Sequence, residues 1–327
     1  MQGMKPLDLP SVLELPELPE HLARVDTVLK QIAADANPYL SKPLGRLLTV
    51  RGKRLRPALV LAVAAAHAKP IDDKVIAACA SIELIHLSSL IHDDVMDHAT
   101  TRWNIPTISA QEGVDCAILA GDYLFARGCV EAASVGPEAV AVVAAAFAAI
   151  CQGQATELAD QHNLARTETA LLQAVDNKTA TLIAAACQLG GLCADLSGKH
   201  VQALADYGMA FGRSFQLIDD VLDFIASPER FGKPVGNDVR EGNYTLPLIL
   251  ALHSTEAPSV KTCLEQSPKS LPQLLARLGT IEATIEKART YNQLAKDSLT
   301  EPTNASTLNA LRKFPSVYTD WALANLA

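Results

Sequence analysis

Two acidic pentads hold the residues best suited to chemistry in this chain, Asp93-Asp94-Val95-Met96-Asp97 and Asp219-Asp220-Val221-Leu222-Asp223. Residues four apart share a helix face. Asp93 with Asp97, and Asp219 with Asp223, are therefore like-charge neighbours, and each pair costs about 0.2–0.5 kcal/mol even on an exposed helix. Ile82, Leu84, Ile85, Leu87, Leu90 and Ile91 precede the first pentad, and Phe215, Leu217, Ile218, Leu222 and Phe224 surround the second. Carboxylates in such apolar walls either take up a proton or hold a metal ion, because an unpaired buried charge is costly. Hard oxygen donors with open positions suit Mg2+, which prefers a few carboxylates plus substrate phosphate to a closed protein cage. A solvated helix end accounts for one such pentad but poorly for two with the same spacing.

Isolated cations accompany the acids: Arg51-Gly52-Lys53-Arg54-Leu55-Arg56-Pro57, then Arg102, Lys178-Thr179 and Gly232-Lys233-Pro234. Metal ions bridging carboxylate to phosphate, with guanidinium and ammonium groups neutralising the remaining charge, describe a diphosphate site. Diphosphate held this way leaves readily and produces a carbocation. Apolar helices around the acids would keep water from it.

The elements that must position these groups read as helices. From about residue 20 onward apolar residues recur at i, i+3, i+4 and i+7 with very few alternating runs, which predicts an all-α fold. Pro57 is expected in the first turn of a helix over Ala58–Ala68. Lys69-Pro70 ends it, and Asp72-Asp73 begin the helix that carries the first pentad. Turns are expected at Asn104-Ile105-Pro106-Thr107, at Gly136-Pro137 and over Asp195–Gly198. The stretch from Ser227 to Gly242, rich in Gly and Pro and directly after the second pentad, is a candidate lid. The pentads are no internal repeat beyond their own residues. The expected organisation is an N-terminal extension over 1–20 and one all-α domain over 21–327.

Composition excludes several classes. With 327 residues, 49% hydrophobic and 20% charged, the chain can bury a large core, and its net charge of −8 disfavours general nucleic-acid binding. The apolar run 139–151 is too short to span a membrane and is expected to be a buried core helix. No basic start or apolar segment of a signal peptide opens the chain, so a cytoplasmic location is expected, with no transmembrane segment. The seven cysteines show no metal-type spacing and read as reduced core thiols.

Further short motifs run in one order between residues 45 and 250: Gly52-Lys53-Arg54-Leu55-Arg56-Pro57, Glu83-Leu84-Ile85-His86, the first pentad, Gly121-Asp122-Tyr123-Leu124, Gly153-Gln154, Lys178-Thr179-Ala180, Phe215-Gln216-Leu217-Ile218 with the second pentad, and Gly242-Asn243-Tyr244-Thr245-Leu246-Pro247. In these the chain resembles the trans-isoprenyl diphosphate synthases, the polyprenyl synthetase family, of the medium- or long-chain type. The resemblance implies an all-α bundle around a deep central cavity. It also implies a homodimer, and head-to-tail addition of isopentenyl diphosphate to an allylic diphosphate with Mg2+, three ions when substrate is bound. Asp93, Asp97 and Asp219 would be the principal Mg2+ ligands, supported by Asp94, Asp220 and Asp223. Arg102, Lys178 and Lys233 would grip the allylic diphosphate, and Lys53, Arg56 and His86 the isopentenyl diphosphate. Thr179, Gln216 and the Lys178 backbone would face the developing cation, and Gln154 would support the metal waters. The released diphosphate would take the proton, so no protein base is needed. On residue type alone, His86 reads equally as a core histidine.

Two positions depart from the family pattern. Most relatives read Arg-Arg-Gly where this chain has Arg102-Trp103-Asn104, so one cation expected to bind isopentenyl diphosphate is absent and Arg54 is a candidate to replace it. Asn243 stands where many relatives have Lys. Trp103 also favours an alternative, in which the allylic cation cyclises or meets another acceptor. A third reading is a non-catalytic subunit that binds prenyl diphosphates, against which both complete pentads argue. Product length follows from helix geometry: Ser89 and Ser88 lie four and five residues before Asp93, with Ile85 about one 5.4 Å turn further down. Serines where short-chain relatives have aromatic residues predict a product longer than fifteen carbons, twenty or more. That product would partition into membranes.

Overall fold

The computed structural model describes residues 7–49, 52, 54–103, 105–226, 236–299 and 306–326. Lys53 and Lys233, two of the expected phosphate ligands, lie outside these residues, as does most of the candidate lid. In chain order the helices are α1 (Leu9–Val12), α2 (Leu18–Ala34), α3 (Pro38–Thr49), α4 (Leu55–Ala66) and α5 (Asp73–Met96). After these come α6 (Ile108–Glu112), α7 (Val114–Ala133), α8 (Pro137–Ala159) and α9 (Glu168–Val175). A π-helical turn over Asp176–Ala180 leads into α10 (Thr181–Cys193) and α11 (Gly198–Ile225). The remaining helices are α12 (Asn237–Arg240), α13 (Leu246–Leu252), α14 (Ala257–Gln266), α15 (Leu271–Arg277), α16 (Thr280–Ser298) and α17 (Ser306–Leu326). A small antiparallel hairpin, Thr101–Arg102 with Ile105–Pro106, interrupts them.

Local chemistry explains where the site-bearing helices start and stop. The Asp72 carboxylate caps α5 by accepting from the Val75 amide at 3.1 Å, as its position before the apolar run predicts. Pro137 in the first turn of α8 needs no hydrogen-bond partner for its missing N–H. Within the bundle α5 packs along α7, α4 and α10, while α10 lies between α4 and α11, and α11 runs beside α16. Both pentads consequently sit at the C-terminal ends of their helices, Asp97 being the residue that caps α5. That end of a helix already carries partial negative charge, so acids there add a second penalty to their mutual repulsion.

Several expectations need correction. Helix α4 begins at Leu55 rather than Ala58 and ends at Ala66. The turn expected over 104–107 is instead the hairpin, whose strand includes Ile105 and Pro106. The break expected at residue 20 falls inside α2, and Leu13 and Leu18 before it are fully buried in the common core. The run 139–151 belongs to α8, which is not a core helix: Ala139, Val143, Ala146 and Ile150 are buried, but Ala141, Ala145, Ala148 and Cys151 are exposed. An all-round apolar composition signals burial only when every face has a partner, and among the described residues one face of α8 is left exposed. Among the described residues two helices, Asp73–Met96 and Pro137–Ala159, are long and apolar enough to cross a membrane; the most apolar 18-residue stretch is 83% buried inside the fold in the first and 33% in the second.

Candidate active site

The six aspartates divide by exposure. Asp93 is half-buried and Asp97 and Asp219 are exposed, whereas Asp94, Asp220 and Asp223 are buried. Each buried carboxylate is held from within. Asp94 accepts from Arg102 Nε at 2.7 Å, and Asp220 from Gln216 Nε2 at 2.8 Å. The two Asp223 oxygens accept the backbone N–H groups of Asn237 and Asp238, each at 3.2 Å. Burial pushes the Asp93 pKa up to about 6, with Lys178 opposing and Asp97 adding to the rise. Burial also raises Asp94 and Asp97, against the nearby positive charge of Arg102 and Lys178 respectively. Asp220 is raised well above its ordinary value by burial and then by Asp238.

Lys178 and Thr179 occupy the π turn, a wider coil that is rare in helices and concentrated at functional sites. Two glycines allow it to be packed from both sides. A Cβ on Gly153 of α8 would meet the Lys178 backbone nitrogen at 2.8 Å, and one on Gly212 of α11 would meet the Ala180 Cα at 2.4 Å. Arg213 fastens the start of the turn with a two-pronged contact to Asp176, at 2.5 and 2.7 Å. The Lys178 ammonium pairs with Glu157 of α8. Burial works against that charge, yet Glu157, Asp93 and Asp97 together hold the Lys178 pKa above its usual value. Thr179 Oγ1 donates to Gln216 Oε1 at 2.7 Å, and Gln216 in turn donates to Asp220. A hydrogen-bonded line thus runs from the π turn to the second pentad.

Beside it lies a polar cavity of about 120 Å³ lined by Glu157, Arg166, Lys178, Thr179, Gln216, Asp220, Asp238, Asn243 and Thr245 among others. Buried atoms without hydrogen-bond partners gather here: Asp220 Oδ2, Asn243 Oδ1, Thr245 Oγ1 and Arg166 Nη2, with Gln154 Oε1 close along α8. Such atoms call for water or a ligand. Among the described residues no three carboxylates converge tightly enough to grip an ion by themselves. All-oxygen donors, orphaned acceptors and raised carboxylate pKa values fit Mg2+ completed by phosphate oxygens rather than a closed cage.

The described residues expected to bind the acceptor lie on α4 and α5. His86 is half-buried, and desolvation followed by the charges of Arg56, Arg102 and Arg54 holds its pKa well below the usual value. Arg56 lies close enough to Glu83 to feel its charge, and its Nε is buried without a partner. Arg54, the candidate to replace the absent cation, is engaged by Asp26 and Glu83. Trp103 is 41% exposed and sits at the hairpin turn with a left-handed φ of 51°. Ser88, expected to leave the cavity open, is fully buried with its hydroxyl on the Gly121 carbonyl at 2.8 Å; Ser89 Oγ bonds the His86 carbonyl at 2.8 Å. Ile85 faces Gly128 of α7.

Sequence reasoning missed Glu157, Asp238 and Arg166. Glu157 had a local signal, since it lies three residues after Gln154 and so shares its helix face. The other two reach the site only through long-range folding.

Residues 37–278 match the family model described as polyprenyl synthetase. The chain is 35% identical over 275 residues to heptaprenyl diphosphate synthase component 2 of Geobacillus stearothermophilus, covering 84% of this chain and 85% of that one. It is 38% identical over 234 residues to nonaprenyl diphosphate synthase of Mycobacterium tuberculosis, covering 72% and 70%. The fold superposes on the polyprenyl synthase of Caulobacter crescentus CB15 complexed with calcium and isoprenyl diphosphate, with a TM-score of 0.86, 28% identity and all of both chains covered. Helical architecture and site together define a prenyltransferase of the all-α type. The chain belongs to the polyprenyl synthetase family.

Proposed function

We propose that the protein condenses isopentenyl diphosphate head-to-tail with an allylic diphosphate, giving a trans-polyprenyl diphosphate of twenty carbons or more. The observation that carries this reading is the split between outward and inward carboxylates. Asp93, Asp97 and Asp219 are presented to ligand, while Asp94, Asp220 and Asp223 are anchored by Arg102, Gln216 and the start of α12 and brace them. Mg2+, three ions with substrate bound, would link these carboxylates to the diphosphate and draw charge from the leaving group. Arg102 and Lys178, with Lys233, neutralise the allylic diphosphate. Thr179 Oγ1, Gln216 Oε1 and the Lys178 carbonyl offer oxygen dipoles to the cation that its departure leaves, and Gln154 positions metal-bound water. Arg56 and His86, with Lys53, hold the acceptor diphosphate so that its double bond faces that cation. Ser88, Ser89 and Ile85 line the path of the growing chain. The heptaprenyl and nonaprenyl synthases among the relatives support a long product.

The exposed apolar stripe of α8, with Ile118, Leu119 and Val130 on α7, supports a homodimer, which is proposed to work in the cytoplasm. The name component 2 carried by one relative favours a second reading, in which a different subunit covers that face. Incubating the purified chain alone with Mg2+, isopentenyl diphosphate and ten-, fifteen- and twenty-carbon primers tests both. Elongated products identified by mass are expected. No product with any primer rejects the self-sufficient enzyme.

A further inference from the structure

Arg54 sits immediately before α4 with φ 48° and ψ 36°, a left-handed conformation that residues other than glycine avoid. Its side chain is buried, at 9% exposure. Nε and Nη2 both lie 3.1 Å from Asp26 Oδ1, and Nη1 donates to Glu83 Oε1 at 2.5 Å. Asp26 belongs to α2 and Glu83 to α5, and both are themselves buried. One guanidinium therefore joins three helices, using the planar fork that lysine lacks.

The junction adjoins the acceptor subsite in sequence and in charge. Arg56 follows Arg54 by two residues in the first turn of α4, and the Arg54 carbonyl accepts the Ala58 amide at 3.0 Å to start that turn. His86 follows Glu83 by three residues and so shares its face of α5. We propose that Arg54, clamped between Asp26 and Glu83, is a positioning residue that sets Arg56 and His86 at the spacing needed to hold the acceptor diphosphate. Arg54 does not touch that diphosphate. Each of its three guanidinium nitrogens already faces a carboxylate from another helix, and its left-handed backbone fixes the direction in which Arg56 enters the site. The inference rests on the prenyltransferase reading above and assigns a residue that reading leaves without a role.

The test compares steady-state kinetics of the full chain with Arg54→Lys, Glu83→Gln and Arg54→Gly, each with its melting temperature measured alongside. Arg54→Lys and Glu83→Gln are expected to raise KM for isopentenyl diphosphate about ten-fold or more, while KM for the allylic primer stays within about two-fold. A variant carrying both Arg54→Lys and Glu83→Gln is expected to be little worse than either single one, as residues acting through one contact require. Arg54→Gly accepts the backbone conformation but loses the side chain, and is expected to share the defect. Equal effects on both KM values, or normal acceptor binding in Arg54→Gly, overturn the positioning role. If Arg54→Lys does not fold, the isosteric Glu83→Gln decides the matter by the same split. A wild-type protein that neither binds nor elongates isopentenyl diphosphate overturns the broader reading and this one with it. Wild-type turnover without the KM split overturns this one alone.

Discussion

Lys178 and Glu157 form an ion pair between the π turn and α8, close enough to Asp93 and Asp97 for their charges to act on the ammonium. A cation expected to grip phosphate is thus already neutralised by a carboxylate that also lies near Asp93, Asp97 and Asp220. Incoming diphosphate must displace Glu157 or share the ammonium with it. Glu157→Gln should therefore tighten product diphosphate, lowering its inhibition constant about five-fold or more for roughly 1 kcal/mol of relieved competition, and should slow turnover through late release. Product-inhibition kinetics read this directly. A weaker grip on diphosphate would mean that Glu157 supports the metal ions instead.

Magnesium should stabilise the fold in a pH-dependent way. Asp93 has a folded pKa of about 6, above the ordinary value of 3.8, so the metal-free fold binds this proton more tightly than the unfolded chain does. Stability from this group is present at low pH and is lost as pH rises from about 4 through 6. Mg2+ with diphosphate competes with that proton, so the rise in melting temperature on adding both should be small at pH 5 and grow through pH 6 to 7. His86 pulls the opposite way, being held neutral in the fold, but it titrates with or without metal and largely cancels from the difference. Thermal melts with and without the additives across this range check the sign. A metal effect that is flat in pH would remove Asp93 from the ligand set.

Ser88→Phe should shorten the product. The serine is buried between α5 and α7 with its hydroxyl on Gly121, so a phenyl ring there must displace its neighbours about one turn before Asp93, where the floor of the product cavity is expected. Overpacking should cost about 1–3 kcal/mol of stability, which the fold can tolerate. Mass analysis of products decides, and an unchanged length distribution shows that the chain grows elsewhere.

Trp103→Arg should strengthen acceptor binding. The side chain is exposed and the left-handed turn is retained, so the substitution adds a cation beside Arg102 with little repacking. One charge-assisted contact to phosphate is worth about 1.5–3 kcal/mol, which corresponds to roughly a ten- to hundred-fold lower KM for isopentenyl diphosphate. An unchanged KM indicates that the subsite already has its full charge.

Association should depend on the apolar face of α7 and α8. Leu119 and Val130 are each more than half exposed and, eleven residues apart, point the same way from α7. Replacing both with Glu should convert a dimer of the 327-residue chain to monomer in light-scattering measurements. A dimer that survives both changes places its interface elsewhere.

How far the sequence could be read depended on the range of the interactions involved. Asp72 capping α5 and the i, i+4 geometry of the pentads are local, and the structure contains both. The partner of Lys178 lies 21 residues away, and that of Arg54 is 29 residues away at Glu83, so neither could be read from spacing. Arg54 illustrates the cost: its place in a basic run suggested a free cation, whereas its carboxylate partners come from other helices. Helix α8 failed for a related reason, since composition reports the need for an apolar partner but not whether that partner belongs to the same chain. The π turn leaves no mark of its own in hydrophobic periodicity, because at five residues it makes barely one coil.

The two glycines flanking that turn have a bearing on how this protein tolerates change. Neither position 153 nor position 212 offers any group that could bind or react, yet each leaves only enough room for a hydrogen between neighbouring backbones. Even alanine at either one would force the lysine-bearing coil outward and spoil the spacing on which catalysis depends. Hereditary variation should thus be most tightly restricted at two sites that perform no chemistry, and a survey confined to charged side chains would pass over both.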